Sequence, residues 1–260
     1  MLKKIFILFI LFLIPINSHS EEKIERVIIA ADEWCPYNCI PNSKYEGVLV
    51  EIARQALKEH NIEVKYITMP WARAVEQARL GKIDAVFGAS KPDTPDFIFP
   101  KTPQQKMVNA FYVTDKNKDW KYEGIKSLEN MSIGVINGYS YGNKELDDYI
   151  LKNSDYISKV QVANGDEPQF QNLVKLKRSR IDAVIEDENV MKYILKKYKI
   201  DGVFKSEKNV KNQKISQDLF VAFSPAKKEQ SNKLAKIISD YTDKIIKNGE
   251  YKNINKKYGL

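Results

Sequence analysis

Cysteine and histidine are nearly absent from this chain, with 2 of each in 260 residues. A structural zinc site draws about four Cys, His or carboxylate ligands into one place. His60 is the one histidine past the first twenty residues, far in sequence from Cys35 and Cys39. Zinc is therefore excluded, no metal or other cofactor is expected, and nothing in the spacing resembles a hydrolytic Ser-His-Asp arrangement. Nor does a G-x-x-x-x-G-K phosphate loop occur. Long apolar runs are missing too, apart from residues 5–14, which are too few to span a hydrocarbon core of about 30 Å comfortably.

That one run has a different reading. Lys3 and Lys4 precede it, and Ser18 and Ser20 stand at small-residue positions before Glu21. This is the pattern of a cleaved secretory signal peptide over residues 1–20, with no cysteine at the cut to take a lipid, and it points to export. Loss of Lys3 and Lys4 lowers the formal charge from +8 to +6. The remaining excess is lysine scattered along helices, such as Lys227, Lys236, Lys247 and Lys256. A nucleic-acid surface would gather Arg and aromatics on one face, so no nucleic acid is expected as a partner. Export also places Cys35 and Cys39 in an oxidising compartment, where closing Cys-Pro-Tyr-Asn-Cys as a disulfide is the preferred state.

What the chain does contain is a sentence spoken twice. Residues 70–89, PWARAVEQARLGKIDAVFGA, have Trp71, Ala74, Val75 and Ala78 at helical spacing, a stop at Gly81, then a short apolar strand. Residues 169–187, QFQNLVKLKRSRIDAVIED, repeat the helix and the Ile-Asp-Ala-Val tetrad. Two copies are too few for a solenoid, so two similar α/β lobes are expected. Asp84 and Asp182 sit at the strand starts and read as structural. Asp187 sits at the far strand end, where ligands collect in open α/β sheets.

In order, RVIIAA at residues 26–31 is a buried strand running into Asp32-Glu33-Trp34, a candidate site wall. A helix follows from Gly47 to about His60, then an alternating strand at residues 62–66. Residues 90–96, SKPDTPD, form a loop rich in breakers. Residues 97–113 are expected to leave the first lobe as an interrupted strand. SIGVI at residues 132–136 enters Asn-Gly-Tyr-Ser-Tyr-Gly, where free N–H groups make an anion seat around Ser140. Residues 201–216 are expected to be irregular, 219–223 a returning strand, and two amphipathic helices close the chain around Gly249.

Taken together, ADEWCPY, EGVLVEIARQAL, the 70–89 segment, SIGVINGYSYG, RSRIDAVIEDENV and KNGEYKNINKKYGL resemble family 3 of the bacterial extracellular solute-binding proteins, across the whole mature chain. The resemblance implies a type II periplasmic-binding-protein-like α/β fold with two hinge-connecting strands. Lobe 1 is expected over residues 21–112 and 220–260, and lobe 2 over residues 113–219. It further implies capture of a small polar, amino-acid-like solute, delivery to an ABC permease in the inner membrane, and a monomer. Position by position, Asp32 and Trp34 match the first wall, Trp71 the facing aromatic, Ser140 a hydroxyl that receives an anionic group, and Asp187 the acid that takes an amino group. Ser90 and Tyr141 complete the candidate set.

One departure stands out. Typical amino-acid binders carry an Arg in the loop after the first IDA strand to clamp the α-carboxylate, and residues 90–97 here contain none. A Lys cannot copy the bidentate guanidinium fork. Arg73, one step beyond Trp71, or Lys91 is left to supply a cation. Two other classes share this fold pattern: a dehydratase-like enzyme, with Asp32, Glu186 or Asp187 as acid or base, and a protein that presents its ligand to a sensory receptor.

Overall fold

The computed structural model describes residues 24–206 and 215–260. Residues 1–20, expected to be a signal peptide, and half of the segment expected to be irregular, residues 207–214, lie outside the described residues.

The chain alternates strand and helix from its start. β1 (Arg26–Ala31), α1 (Val48–Lys58), β2 (Glu63–Thr68), α2 (Trp71–Arg79) and β3 (Ala85–Ala89) build the first lobe. A long strand, β4 (Gln105–Thr114), leads out of it. The second lobe follows with β5 (Ile133–Ile136), α3 (Lys144–Asn153), β6 (Val160–Ala163), α4 (Pro168–Lys177), β7 (Ala183–Asp187), α5 (Glu188–Tyr198) and β8 (Val203–Lys205). β9 (Ile215–Phe223) returns, and α6 (Lys228–Asn248) and α7 (Glu250–Tyr258) finish the chain against α1.

The strands run in the order β2-β1-β3-β9-β4-β7-β5-β6, with β8 added on β4. β1 pairs in parallel with both β2 and β3, and β5 with both β6 and β7, which is the βαβ logic of each lobe. The two crossing strands are antiparallel. β9 pairs with β4 from Ile215 to Leu219 and then with β3 from Phe220 to Phe223. β4 in turn passes from β9 to β7 at Asn109. Two adjacent strands thus connect two lobes, the arrangement of a hinge.

The repeated tetrad has the same physical job in both lobes. Asp84 Oδ2 accepts from Ile28 N at 2.7 Å, and Asp84 N donates to Ile28 O at 2.8 Å. Asp182 Oδ2 accepts from Ser132 N at 3.0 Å, and Asp182 N donates to Ser132 O at 2.8 Å. Each aspartate therefore satisfies the backbone beside the neighbouring parallel strand. Lys227 pairs with Asp84 and Lys116 with Asp182, so both charges are compensated.

The cores follow the apolar spacing. Ile29, Leu49, Ile52, Leu57, Leu234 and Ile238 pack the first lobe, and Leu128, Ile133, Val135, Leu146 and Ile185 the second. Each such side chain is worth about 1.5–3 kcal/mol when taken from water. Among the described residues no helix is long and apolar enough to cross a membrane.

Several element boundaries differ from expectation. β3 starts at Ala85 because Ile83 and Asp84 are still turning into the sheet. β4 starts at Gln105; Pro100 and Pro103 lie in the segment before it, and of that segment only Ile98 bridges to Phe223. The 201–216 segment contains β8 and the first two residues of β9.

Candidate functional site

The loops after β1, β3 and β5 meet the end of β7 where the two lobes face each other. Asp32, Trp34, Asn38, Trp71, Phe87, Gly88, Asp93, Met107, Tyr139 and Ser140 enclose a small cavity of about 20 Å³ there. Asp32 and Trp34 arrive from the end of β1, and a disulfide between Cys35 and Cys39 closes the turn that follows them. Trp71 opens α2. Tyr139 and Ser140 come from the turn after β5.

Tyr139 reaches across and stands between the two tryptophans. Its ring centroid is 6.3 Å from that of Trp34 and 6.1 Å from that of Trp71, edge-on to both at 83° and 84°. Its hydroxyl donates a short hydrogen bond to Asp32 Oδ2 and accepts one from Gln169 Nε2 at 3.2 Å. Trp71 Nε1 donates to Gly138 O at 3.0 Å. Gly138 adopts φ +78°, and a Cβ there would sit 3.3 Å from Trp71 Cδ1, so only glycine lets the turn approach this closely.

The lobes are drawn together by further contacts. Trp34 Nε1 donates to Glu186 Oε1 at 3.0 Å, and Ser140 N donates to Asp93 Oδ1 at 2.6 Å. At the rim Lys197 pairs with Glu33 at 2.6 Å, and Asn189 Nδ2 donates to the Tyr37 hydroxyl at 3.1 Å. This is a closed cleft.

Its electrostatics are one-sided. Asp32 and Glu186 are each 4% exposed, and neither has a Lys or Arg partner among the described residues. Burial pushes the Asp32 carboxyl up to about 6, against the lowering effect of the Tyr139 hydrogen bond. Burial pushes Glu186 up to about 8, helped by the charges of Asp187 and Asp32 and opposed by hydrogen bonds from Trp34 and the Asp187 backbone. Asp93 is also raised by burial, to about 6, although Ser90 and the backbone of Ser140 bond to it. Among the described residues no group of three or more Cys, His, Asp or Glu is placed to hold a metal.

The expected site residues fall into three groups. Asp32, Trp34, Trp71 and Ser140 line the cavity. Ser90 stands behind it, donating through both N and Oγ to Asp93 Oδ2 and fixing that carboxylate. Arg73, Tyr141 and Asp187 are elsewhere. Arg73 is exposed on α2 and lines no part of the cavity. Tyr141 is buried in the second-lobe core, its hydroxyl oxygen accepting from Ile136 N at 2.8 Å. Asp187 is 0% exposed and spends its oxygens on Asn189 N, Val190 N and Val108 N, which caps α5 and ties it to β4. Glu186, one residue earlier, faces the cleft and accepts from Trp34 Nε1, at the strand end where Asp187 was expected to meet a ligand amino group.

The anion seat is also occupied from within. Ser140 N is taken by Asp93, while Ser140 Oγ and Tyr141 N donate to Asp147 at 2.8 Å each. Lys91 lies over the Phe220 ring, 5.7 Å from its centroid. There it borders a second cavity of about 530 Å³ with Lys144, Asp147, Gln217 and Ser140, on the hinge side of the Asp93–Ser140 bond. Sequence reasoning missed Asp93 and Tyr139 as partners across the lobes. The two breakers flanking Asp93 marked only a loop, and an aromatic before a helix start is most often packing.

Two lobes joined by two strands, closed over an aromatic and acidic pocket at the carboxyl ends of their strands, define a cleft-type binding protein. The chain belongs to the bacterial extracellular solute-binding proteins, family 3, whose model matches residues 27–260. It is similar to the probable amino-acid-binding protein YxeM of Bacillus subtilis (strain 168), 21% identical over 248 residues, covering 93% of this chain and 87% of that one. A histidine kinase sensor domain with similarity to periplasmic binding proteins superposes with TM-score 0.71 at 16% identity, covering 92% of this chain and 97% of the other. An ABC uptake transporter substrate-binding protein from Streptococcus pneumoniae with bound histidine gives TM-score 0.71 at 17% identity, with 90% and 92% covered.

Proposed function

We propose that this chain is a periplasmic solute-binding protein that captures a small polar, amino-acid-like solute between its lobes and hands it to an ABC importer. The observation that carries this reading is the convergence of Asp32, Trp34 and Trp71 from one lobe with Tyr139, Ser140 and Glu186 from the other. A solute that touches both lobes at once favours their closed arrangement by its differential affinity for it. The lobe limits taken here are residues 21–112 with 220–260, and 113–219, and the chain acts as a monomer.

The test is a thermal-shift panel of amino acids, amines and small carboxylates on the mature protein. A solute that binds only the folded state stabilises it by about 2.7 kcal/mol at a hundred times its Kd. The Trp71→Ala variant is expected to stay folded and lose most of that shift. In cells, uptake of the same solute is expected to fall when the chain is deleted and to return with wild-type protein but not with Trp71→Ala. Full uptake without the chain points to the sensory role instead.

The enzymatic reading rests on the same raised carboxyls of Asp32 and Glu186. Both are already committed, to Tyr139 and to Trp34 respectively. Recovery of the solute unchanged after long incubation with the protein argues for capture.

A further inference from the structure

Between the lobes, the backbone donors best placed for a carboxylate are already bonded to carboxylates of the protein. Backbone N–H groups before α3 would be the natural seat for a ligand carboxylate. Ser140 N bonds to Asp93 at 2.6 Å and Tyr141 N to Asp147 at 2.8 Å, so these donors have carboxylates from within the chain. Asp93 belongs to the 90–97 loop that contains no Arg. This loop brings an anion to the facing lobe.

No Lys or Arg lines the cavity among the described residues. The nearby basic groups are engaged elsewhere: Lys197 with Glu33, and Lys91 over Phe220. Arg73 is exposed on α2. Facing inward instead are the carboxylates of Asp32 and Asp93 and, against Trp34, Glu186. An independent observation points the same way. Asn38 is 1% exposed and lines the cavity; its Nδ2 donates to Asp32 O at 2.8 Å, while its Oδ1 has no partner among the described residues. That oxygen lies against Gly88, where a Cβ would come within 2.9 Å of it. A buried acceptor without a donor is costly, and it is relieved by a ligand that brings N–H groups.

We propose that the cleft selects a small organic cation bearing a primary ammonium and no carboxylate, such as an alkyl diamine. An ammonium group brings three donors, suited to Asp32, Asn38 Oδ1 and Asp93. It is close in size to a water molecule, which needs roughly 10–15 Å³, and the cavity of about 20 Å³ holds one such group. Trp34 and Trp71 offer ring faces that favour a cation over a neutral group. The carbon tail takes the place of the Tyr139 ring between the two tryptophans, so ligand entry swings Tyr139 aside. This assignment rests on the capture reading above and narrows its ligand class.

Isothermal titration of the mature protein with matched pairs tests it: cadaverine against lysine, and agmatine against arginine. The members of each pair differ only in the carboxylate. The amine is expected to bind at least about tenfold more tightly, a difference of about 1.4 kcal/mol. Asp32→Asn is expected to cost the amine at least about tenfold in affinity while raising the melting temperature of the free protein, a combination that a merely structural role for Asp32 does not produce. Equal or tighter binding of lysine or arginine overturns the class and leaves the capture reading standing, as does binding of only neutral or acidic solutes from the panel. A protein that binds nothing in the panel fails both.

Discussion

The ligand-free protein is expected to be more stable at pH 5.5 than at pH 8, by on the order of 3 kcal/mol. The sign follows from three carboxyls whose folded-state pKa is raised: Asp32 and Asp93 to about 6, and Glu186 to about 8. Between the unfolded values near 4 and these folded values, the native state holds protons that the unfolded chain releases. Stability therefore falls as pH rises through that window. Burial is the leading cause in each case, and the neighbours that face Glu186, namely Asp187 and Asp32, add like charge. Carboxylates held low, such as Asp182 by its bonds to Ser132 and Lys116 and Asp96 by Arg79, give up their stabilising effect only below about pH 4. The curve should thus peak in mildly acid buffer. In melting temperature the drop to pH 8 amounts to about 6–12 °C for a chain of this size. Glu186→Gln keeps an oxygen for the Trp34 and Asp187 N–H groups. It should remove most of the slope, and urea unfolding at the two pH values reads this directly. An unchanged slope in the variant would assign the pH dependence to other groups.

The second large effect is a switch of selectivity at Asp93. Removing this carboxylate in Asp93→Ala frees Ser140 N and lifts a buried negative charge from the pocket wall. A hydrogen bond to a charged group is worth about 1.5–3 kcal/mol. Affinity for a carboxylate-bearing solute such as lysine should therefore rise by about ten- to a hundredfold, while affinity for cadaverine falls. Asp93→Asn is the control, because its amide oxygen can still accept from Ser140 N and keep the seat shut to a carboxylate. Titration calorimetry of the three proteins with both solutes measures the effect. A gain for lysine in Asp93→Asn as large as in Asp93→Ala would show that charge alone matters, and that the seat does not.

How far the sequence carried the fold can be judged from particular elements. α1, α2 and α6 announced themselves through apolar residues at helical spacing, because each lays one face on a sheet. The repeated Ile-Asp-Ala-Val pointed to two similar lobes, and its aspartates turned out to bond the neighbouring strand in both. β9 was half hidden. Ser216 fell in the segment expected to be irregular and Gln217 and Asp218 lay outside the expected strand, yet their backbone pairs with β4, and a hinge strand between two lobes has no apolar face to show there.

Of the candidate residues, Asp32, Trp34, Trp71 and Ser140 line the cavity, while at the end of β7 Glu186 rather than Asp187 faces the cleft. Glu186 and Asp187 are adjacent acids at a strand end, and the next step of the chain decides between them. Asp187 caps α5, which turns its carboxylate away from the cleft and leaves Glu186 to meet Trp34. An Asp just before a helix is the ordinary capping signal, so that much was readable. The bonds from Tyr139 to Asp32 and from Ser140 to Asp93 join residues 107 and 47 positions apart. Local pattern holds no trace of them.

The central claim is that solute is held between Trp34 and Trp71 against Asp32, with residues of both lobes in contact. A crystal structure of the mature protein with the solute that raises its melting temperature most tests this directly. The account predicts that solute in the slot now filled by the Tyr139 ring, with a nitrogen within hydrogen-bonding distance of Asp32 and Asn38 Oδ1. Solute seated instead in the cavity beside Lys91 and Lys144, with Tyr139 still bonded to Asp32, would contradict it.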